Sequence, residues 1–307
     1  MRALVAIALV GCSFNPPAGK SPDARPDDAP PVVDDAPPVV DDAPPVVDDA
    51  PPDAPPSADS DGDGILDPAD NCPVVPNMDQ RNFDGDARGD ACDPCPHITS
   101  PDDPDADGDT IGDACDPRPV LKGDTRVLWT AFQDANAIAN WKLVGGTWAL
   151  ANGHLRQTDA APVLAYASPP LNVPRAYIAT RFRVGTLGPG SDGKDPGYGA
   201  SSGFVAPTQY FACIVVDSGF FNYLVAASAW PNRAPTYQAK LWGGPFGSGS
   251  EVDLVHNPAA TNSCSARAGI VTQAASDELG PDTAGDLLLY TQHAAGEFDY
   301  MFVVAIP

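Results

Sequence analysis

Positive charge is what this chain most lacks. Lysine and arginine total 17 against 41 aspartates and glutamates, and the formal net charge is -24. Such acidity repels phosphate backbones and argues against nucleic acid as a partner. Glutamate is nearly missing as well, with only Glu251, Glu278 and Glu297, so the acidity is almost all aspartate. Histidine is sparse, and His97, His154, His256 and His293 are scattered. They form no HExxH zinc pair, and neither a nucleophile elbow nor a phosphate loop is present. Each reads as a surface or strand residue. No apolar run is long enough to cross a bilayer, and no segment carries a helical period.

What the chain has in abundance is aspartate in phase. Between Asp59 and Asp116 one phrase occurs three times, as DSDGDGILDPAD, NFDGDARGDACD and DADGDTIGDACD. Oxygens at alternate positions of a tight glycine-containing loop suit a hard cation, and Ca2+ takes six to eight of them at roughly 2.3–2.6 Å. The first copy offers Asp59, Asp61 and Asp63 at positions 1, 3 and 5, Gly64 at 6, the Ile65 carbonyl at 7 and Asp70 at 12. The second offers Asn82, Asp84, Asp86, the Arg88 carbonyl and Asp93; the third offers Asp105, Asp107, Asp109, the Ile111 carbonyl and Asp116. Asp67, Asp90 and Asp113 within the loops complete the candidate ligands. Aspartate at position 12 and the absence of flanking helices exclude helix–loop–helix units. Ala87 and Thr110 replace the position-6 glycine, at about 1 kcal/mol each if a left-handed backbone is kept. The bland alternative is a solvated acidic linker, which would not repeat a fixed phase.

Cysteine strengthens the reading. Cys72 and Cys92 have the same spacing as Cys95 and Cys115, which selects those pairings among three. Each bridge closes about 20 residues and stabilises by roughly 3 kcal/mol. Ile65, Val74, Val75, Phe83 and Ile111 are too few to hold this stretch together, so metal and disulfides are expected to act as its core. Repulsion among the carboxylates couples folding to cation binding.

These residues resemble thrombospondin type 3 repeats. Asp70-Asn71-Cys72-Pro73, Asn77-Met78-Asp79-Gln80 and Gly89-Asp90-Ala91-Cys92-Asp93 look like one unit. Asp93-Pro94-Cys95-Pro96 through Gly112-Asp113-Ala114-Cys115-Asp116 looks like a shortened second one. The resemblance implies a Ca2+-dependent, disulfide-linked, non-helical wire of ions. Departures at Asn82, Ala87 and Thr110 rank the second site the weakest.

The amino terminus, Met1-Arg2 followed by an apolar run to Leu9-Val10-Gly11-Cys12, resembles a bacterial lipoprotein signal, which implies lipidation of Cys12. Residues 1–11 would be the leader, and Ser13 favours the outer membrane; an ordinary secretory signal is the alternative. Residues 12–58 are a Pro/Asp-rich linker in which Pro30-Pro31-Val32-Val33-Asp34-Asp35-Ala36 recurs from Pro37 and Pro44. Proline pairs forbid a coiled coil. The linker is expected to be disordered, polyproline-like and up to roughly 140 Å long.

Residues 122–307 read as an antiparallel β-sandwich, so the chain is mostly β, with the irregular calcium-binding repeats at 59–118 preceding it. Strand candidates are Thr147–Leu150, His154–Thr158, Ala176–Val184, Tyr210–Asp217, Tyr223–Ala227, Tyr237–Trp242, Glu251–His256, Gly269–Gln273, Asp286–Gln292 and Phe298–Ile306. Ile178, Thr180, Phe182 and Val184 alternate with Ala179, Arg181 and Arg183, giving one core face and one wet face. Asn140-Trp141-Lys142, Gly145-Gly146-Thr147-Trp148, Asn152 to Gln157, and Phe298-Asp299-Tyr300-Met301-Phe302-Val303 resemble strands of concanavalin A-like, laminin G-like jelly rolls. That resemblance implies two curved sheets, often with a glycan site. Tyr198, Trp230, Tyr237 and Trp242 are candidate sugar platforms, though tryptophan in a sandwich is more often core. Cys213 and Cys264 are expected to pair in an oxidising compartment.

Glu251-Val252-Asp253-Leu254-Val255-His256 resembles the catalytic strand of family 16 glycoside hydrolases with histidine in place of the second glutamate. No intact catalytic motif remains, so the expectation is a non-enzyme. The chain reads as a calcium-binding cell-surface lipoprotein, adhesive through glycan or a surface protein, membrane-held by its lipid alone. A polysaccharide hydrolase, a purely structural spacer and a secreted protein are the alternatives.

Overall fold

The computed structural model describes residues 58–162, 164–189, 195–206, 209–231, 235–280 and 284–307. Cys12, the leader and nearly all of the Pro/Asp-rich linker lie outside the described residues. Among the described residues there are no helices. Residues 58–124 form turns and bends, and sixteen strands follow. They are β1 (Thr125–Thr130), β2 (Lys142–Val144), β3 (Trp148–Ala151), β4 (His154–Gln157), β5 (Ala165–Ser168), β6 (Asn172–Val173), β7 (Ala176–Leu187), β8 (Gly197–Ala206), β9 (Gln209–Asp217), β10 (Asn222–Ala229), β11 (Thr236–Trp242), β12 (Glu251–Asn257), β13 (Asn262–Ala268), β14 (Val271–Asp277), β15 (Gly285–Gln292) and β16 (Ala294–Ala305).

The strands form two sheets, antiparallel throughout. One runs β14-β13-β12-β7-β16-β4-β3, with β1 also on β16; the other runs β11-β10-β9-β8-β15-β5-β2, with β6 also on β15. Ile178, Phe182 and Val184 of β7, Leu254 of β12 and Met301 of β16 point inward with Tyr198, Val215 and Leu287 of the second sheet. The sheets are tied across this core by Cys213–Cys264, from β9 to β13. Tyr198, a candidate sugar platform by sequence, is core: its ring stacks on Phe182 at 4.8 Å and its hydroxyl donates to the Ala295 carbonyl. Trp242 is buried too. Tyr237 is exposed and Trp230 partly so.

The outer face of the first sheet departs from the expectation. Its wet face is wet only in part: Arg181 and Arg183 reach solvent, whereas Tyr177 and Ala179 are buried. A bulge between Phe298 and Tyr300 explains the cover. It re-phases β16, turning Tyr300, Phe302 and Val304 outward while Phe298, Met301 and Val303 stay inside. The outward row makes an apolar platform, and the aspartate-rich segment packs on it.

Six strands, β1, β2, β5, β6, β8 and β13, lie outside the strand candidates; β2, β5 and β6 are only two to four residues long, and β8 and β13, GYGASSGFVA and NSCSARA, are built of small and polar residues. Gly269, expected to start a strand, is in the hairpin turn between β13 and β14, with φ of 58°.

The Cys213–Cys264 bridge spans 51 residues. Replacing both cysteines with serine is expected to remove about 4 kcal/mol of stability, read as a lower urea midpoint for the oxidised protein.

Candidate metal centres and the adjoining cleft

The three loops share one pattern of side-chain to backbone contacts at positions 1, 3 and 5. The position-1 side chain folds back on its own loop: Oδ1 of Asp59, Asn82 and Asp105 accepts from the amides of Gly62, Gly85 and Gly108. Those glycines, at position 4, have φ of 75–79° and are the left-handed residues common to all three loops. At position 6, Thr110 keeps the left-handed backbone at φ 80°, as Gly64 does at 95°, while Ala87 does not adopt it.

Position 3 is the telling one. Oδ1 of Asp61, Asp84 and Asp107 accepts from the amide two residues on, and Oδ2 of each is buried without a hydrogen-bond donor. Position 12 repeats this: Oδ1 of Asp93 and Asp116 accepts from Cys95 and Arg118, and Oδ2 of each has no donor. Orphaned anionic oxygens in the same place of successive loops fit a cation, and all-oxygen donor sets favour a hard one. Position 5 links loops. Oδ2 of Asp63, Asp86 and Asp109 accepts from the amides of Asn77, Ser100 and Gly123, each 14 residues on.

The carboxylates gather in four groups whose oxygens lie within 4.8 Å of one another: Asp59/Asp61/Asp63, Asp84/Asp86/Asp93, Asp105/Asp107/Asp109 and Asp109/Asp116/Asp124. The second loop, ranked weakest by sequence, still assembles three carboxylates, and the Asn82 amide nitrogen donates to the Asp86 carbonyl of the same loop. Asp70 joins no group; its Oδ1 accepts from Cys72 and Gln80. Asp67, Asp90 and Asp113 also join none, because each closes its loop by accepting from the amide seven residues back, at Ser60, Phe83 and Ala106. One acid beyond the twelve-residue frame joins a group: Asp124, which immediately precedes β1 and meets Asp109 and Asp116. Asp103 is buried beside Arg88, 3.4 Å away, and joins none. Nothing in the local sequence marks Asp124, because its place depends on where the third loop ends.

Burial first, and neighbouring aspartates after it, push the Asp93 and Asp116 carboxyls up to about 7. In contrast, amide donors from Thr110, Gly108 and Asp109 hold Asp105 below its ordinary value. The disulfides join Cys72–Cys92 and Cys95–Cys115.

The segment is seated by apolar contact. Ile111 and Cys95 are fully buried against Tyr177, Phe302 and Ile306. Phe83 meets Trp129 and Tyr300 edge-on at 5.6 and 5.2 Å, and His97 lies 4.7 Å from Phe302 and 5.0 Å from Tyr300. Burying Ile111 alone stabilises by about 1.5–3 kcal/mol, and an aromatic pair adds about 0.5–1.5 kcal/mol. Burial drives the His97 pKa down to about 3, so its ring is neutral. The expectation that metal and disulfides alone form the core is therefore corrected: the sandwich supplies an apolar floor.

Beside this seam opens a cleft of about 600 Å³, lined by Asp84, His97 and Thr99 of the loops and Arg181, Asp253, Ser265, Arg267 and Thr272 of the sheet. Arg181 and Arg267 both donate to Asp253, across β7, β12 and β13. A second ladder joins Arg156, Glu297, Arg183 and Glu251. The hydrolase motif does not assemble: Glu251 and Asp253 face outward in these ladders, while His256 is buried inside, 3.0 Å from Asn262.

Residues 53–80 and 104–117 match the thrombospondin type 3 repeat, and both stretches precede the β-sandwich. Against curated protein sequences there is no match. Among solved structures, a carbohydrate binding module from Bacillus subtilis aligns at 14% identity over 52% of this chain and 91% of its own, with a TM-score of 0.37. The Lotus tetragonolobus seed lectin aligns at 12% over 60% and 99%, with a TM-score of 0.43. The winged bean acidic lectin, solved with methyl-alpha-D-galactose, aligns at 10% over 59% and 98%, with a TM-score of 0.42.

Thr110 is β-branched in a left-handed conformation, so Thr110→Gly is expected to raise the stability of the cation-loaded protein by about 1 kcal/mol. A higher thermal midpoint would register it. A histidine whose folded pKa lies below its unfolded value of about 6.5 withdraws stability as pH falls through that window. His97→Phe should therefore gain on the unsubstituted protein in unfolding midpoint as pH drops from 7 towards 4. A constant difference would show that His97 does not titrate on undocking.

Proposed function

We propose that this chain is a calcium-binding cell-surface protein that holds a glycan in the cleft between its repeats and its sandwich. One observation carries the reading: a buried, donor-free carboxylate oxygen at position 3 of all three loops, on a segment seated against the sheet. Calcium suits these sites because it accepts many oxygens in flexible geometry. Neutralising the loops keeps the seam closed, and the seam forms one wall of the cleft.

The cleft offers hydroxyls from Ser265 and Thr272, bidentate guanidinium groups and a carboxylate, the mixture that polyhydroxyl ligands bind through paired hydrogen bonds. Its charges are engaged with each other and the hydrolase triplet is split between faces, which favours binding over turnover. The apolar leader ending in Leu9-Val10-Gly11-Cys12 supports lipidation of Cys12 and an outer-membrane address, with the Pro/Asp-rich linker as a stalk. On this reading the protein is adhesive.

The test is a glycan array probed with the oxidised full chain in millimolar calcium and in chelator. Retention is expected in calcium only, and Arg267→Ala is expected to weaken it about tenfold. Silence across the array in calcium would leave a structural spacer as the better description.

A further inference from the structure

Resting on that calcium reading, we infer that Asp124, outside the repeats, is a ligand of a cation that clasps the third loop to the sandwich. Asp109, Asp116 and Asp124 offer oxygens within 4.8 Å of one another. Asp116 is 9% exposed and Asp124 3%, and Oδ2 of Asp116 is buried with no donor. Asp116 and Asp124 are buried and Asp109 is partly exposed, and Arg118 is the cation that hydrogen-bonds to this group. Arg118 donates from Nη2 and Nε to Asp124 Oδ1 at 2.7 and 3.0 Å, and lies 3.2 Å from Oδ2. Its one positive charge does not balance the carboxylates gathered there, and a divalent cation would answer the remaining negative charge.

The placement gives the site its consequence. Asp109 belongs to this group and to that of Asp105 and Asp107, so its carboxylate stands between two candidate ions. Oδ2 of Asp109 also accepts the amide of Asp124 at 2.9 Å. Asp124 is followed directly by β1, whose Thr125 pairs with Ala305 of β16. An ion on Asp116 and Asp124 therefore fastens the end of the repeats to β1, the strand paired with the platform strand β16. Filling it orders β1, and emptying it frees two buried anions to push the seam apart.

Calcium titrated calorimetrically into the oxidised full chain, with hydrogen exchange of residues 125–130 followed in parallel, tests this. Asp124→Asn is expected to bind one ion fewer and to lose calcium-dependent protection of β1, with the ions of the first two loops unaffected. Arg118→Gln, which removes the competing cation, is expected to tighten one site several-fold, and it serves if Asp124→Asn fails to fold. Unchanged stoichiometry with protection retained in Asp124→Asn, or unchanged affinity in Arg118→Gln, overturns the inference. If the unsubstituted chain takes up no calcium, the calcium reading itself has failed instead.

Discussion

Like charges held close against an oily surface set the terms for this protein. The loops bring aspartate oxygens within a few ångströms, where each pair repels by about 1 kcal/mol even in bulk water and by more where water is excluded. The same segment is pinned by Ile111, Phe83 and His97 to an apolar strip of the sandwich. Repulsion would open the segment and burial holds it down. A bound cation converts the first force into attraction, and the two then act together. The cleft is a by-product of that balance, since one wall belongs to the loops and the other to the sheet.

The strip depends on a local irregularity. A strand has period two, so residues 298 and 300 would ordinarily share a face. The bulge at Asp299 breaks this, presenting Tyr300, Phe302 and Val304 to the repeats while Phe298, Met301 and Val303 fill the core. One inserted residue thereby makes both faces of β16 apolar. Asp299 itself lies 2.9 Å from His154 of β4, while a charge ladder from Arg156 to Glu251 covers the uncovered part of the face.

The loop chemistry was legible in the sequence because it is local. Alternate aspartates and equal cysteine spacing led to the groups at positions 3 and 5 and to the two bridges. The β character was equally plain, from the alternation at Ile178–Val184. Long-range pairing was not legible. Tyr177 and Ala179 give no sign that a distant segment covers them, and the wire suggested by the repeats is in fact laid along the sheet. Tyr198 near a glycine-rich stretch looked like a platform, yet only the packing of Phe182 reveals a core residue. Strands such as β13, made of serine, alanine and asparagine, take their identity from neighbours rather than from their own side chains. Asp124 was invisible because its role depends on where the third loop ends in space.

The contact from each position-5 carboxylate to an amide 14 residues on gives the array a direction. The first loop hands over to the second and the second to the third. The third has no successor, and its handover falls on the lead into β1. The sandwich thus takes the place of the next unit and terminates the series, as a capping repeat ends a solenoid. Evolution could lengthen or shorten such a series at its amino-terminal end without redrawing the junction. Any unit inserted beside the sandwich would have to reproduce the contacts that Ile111 and Asp109 make there.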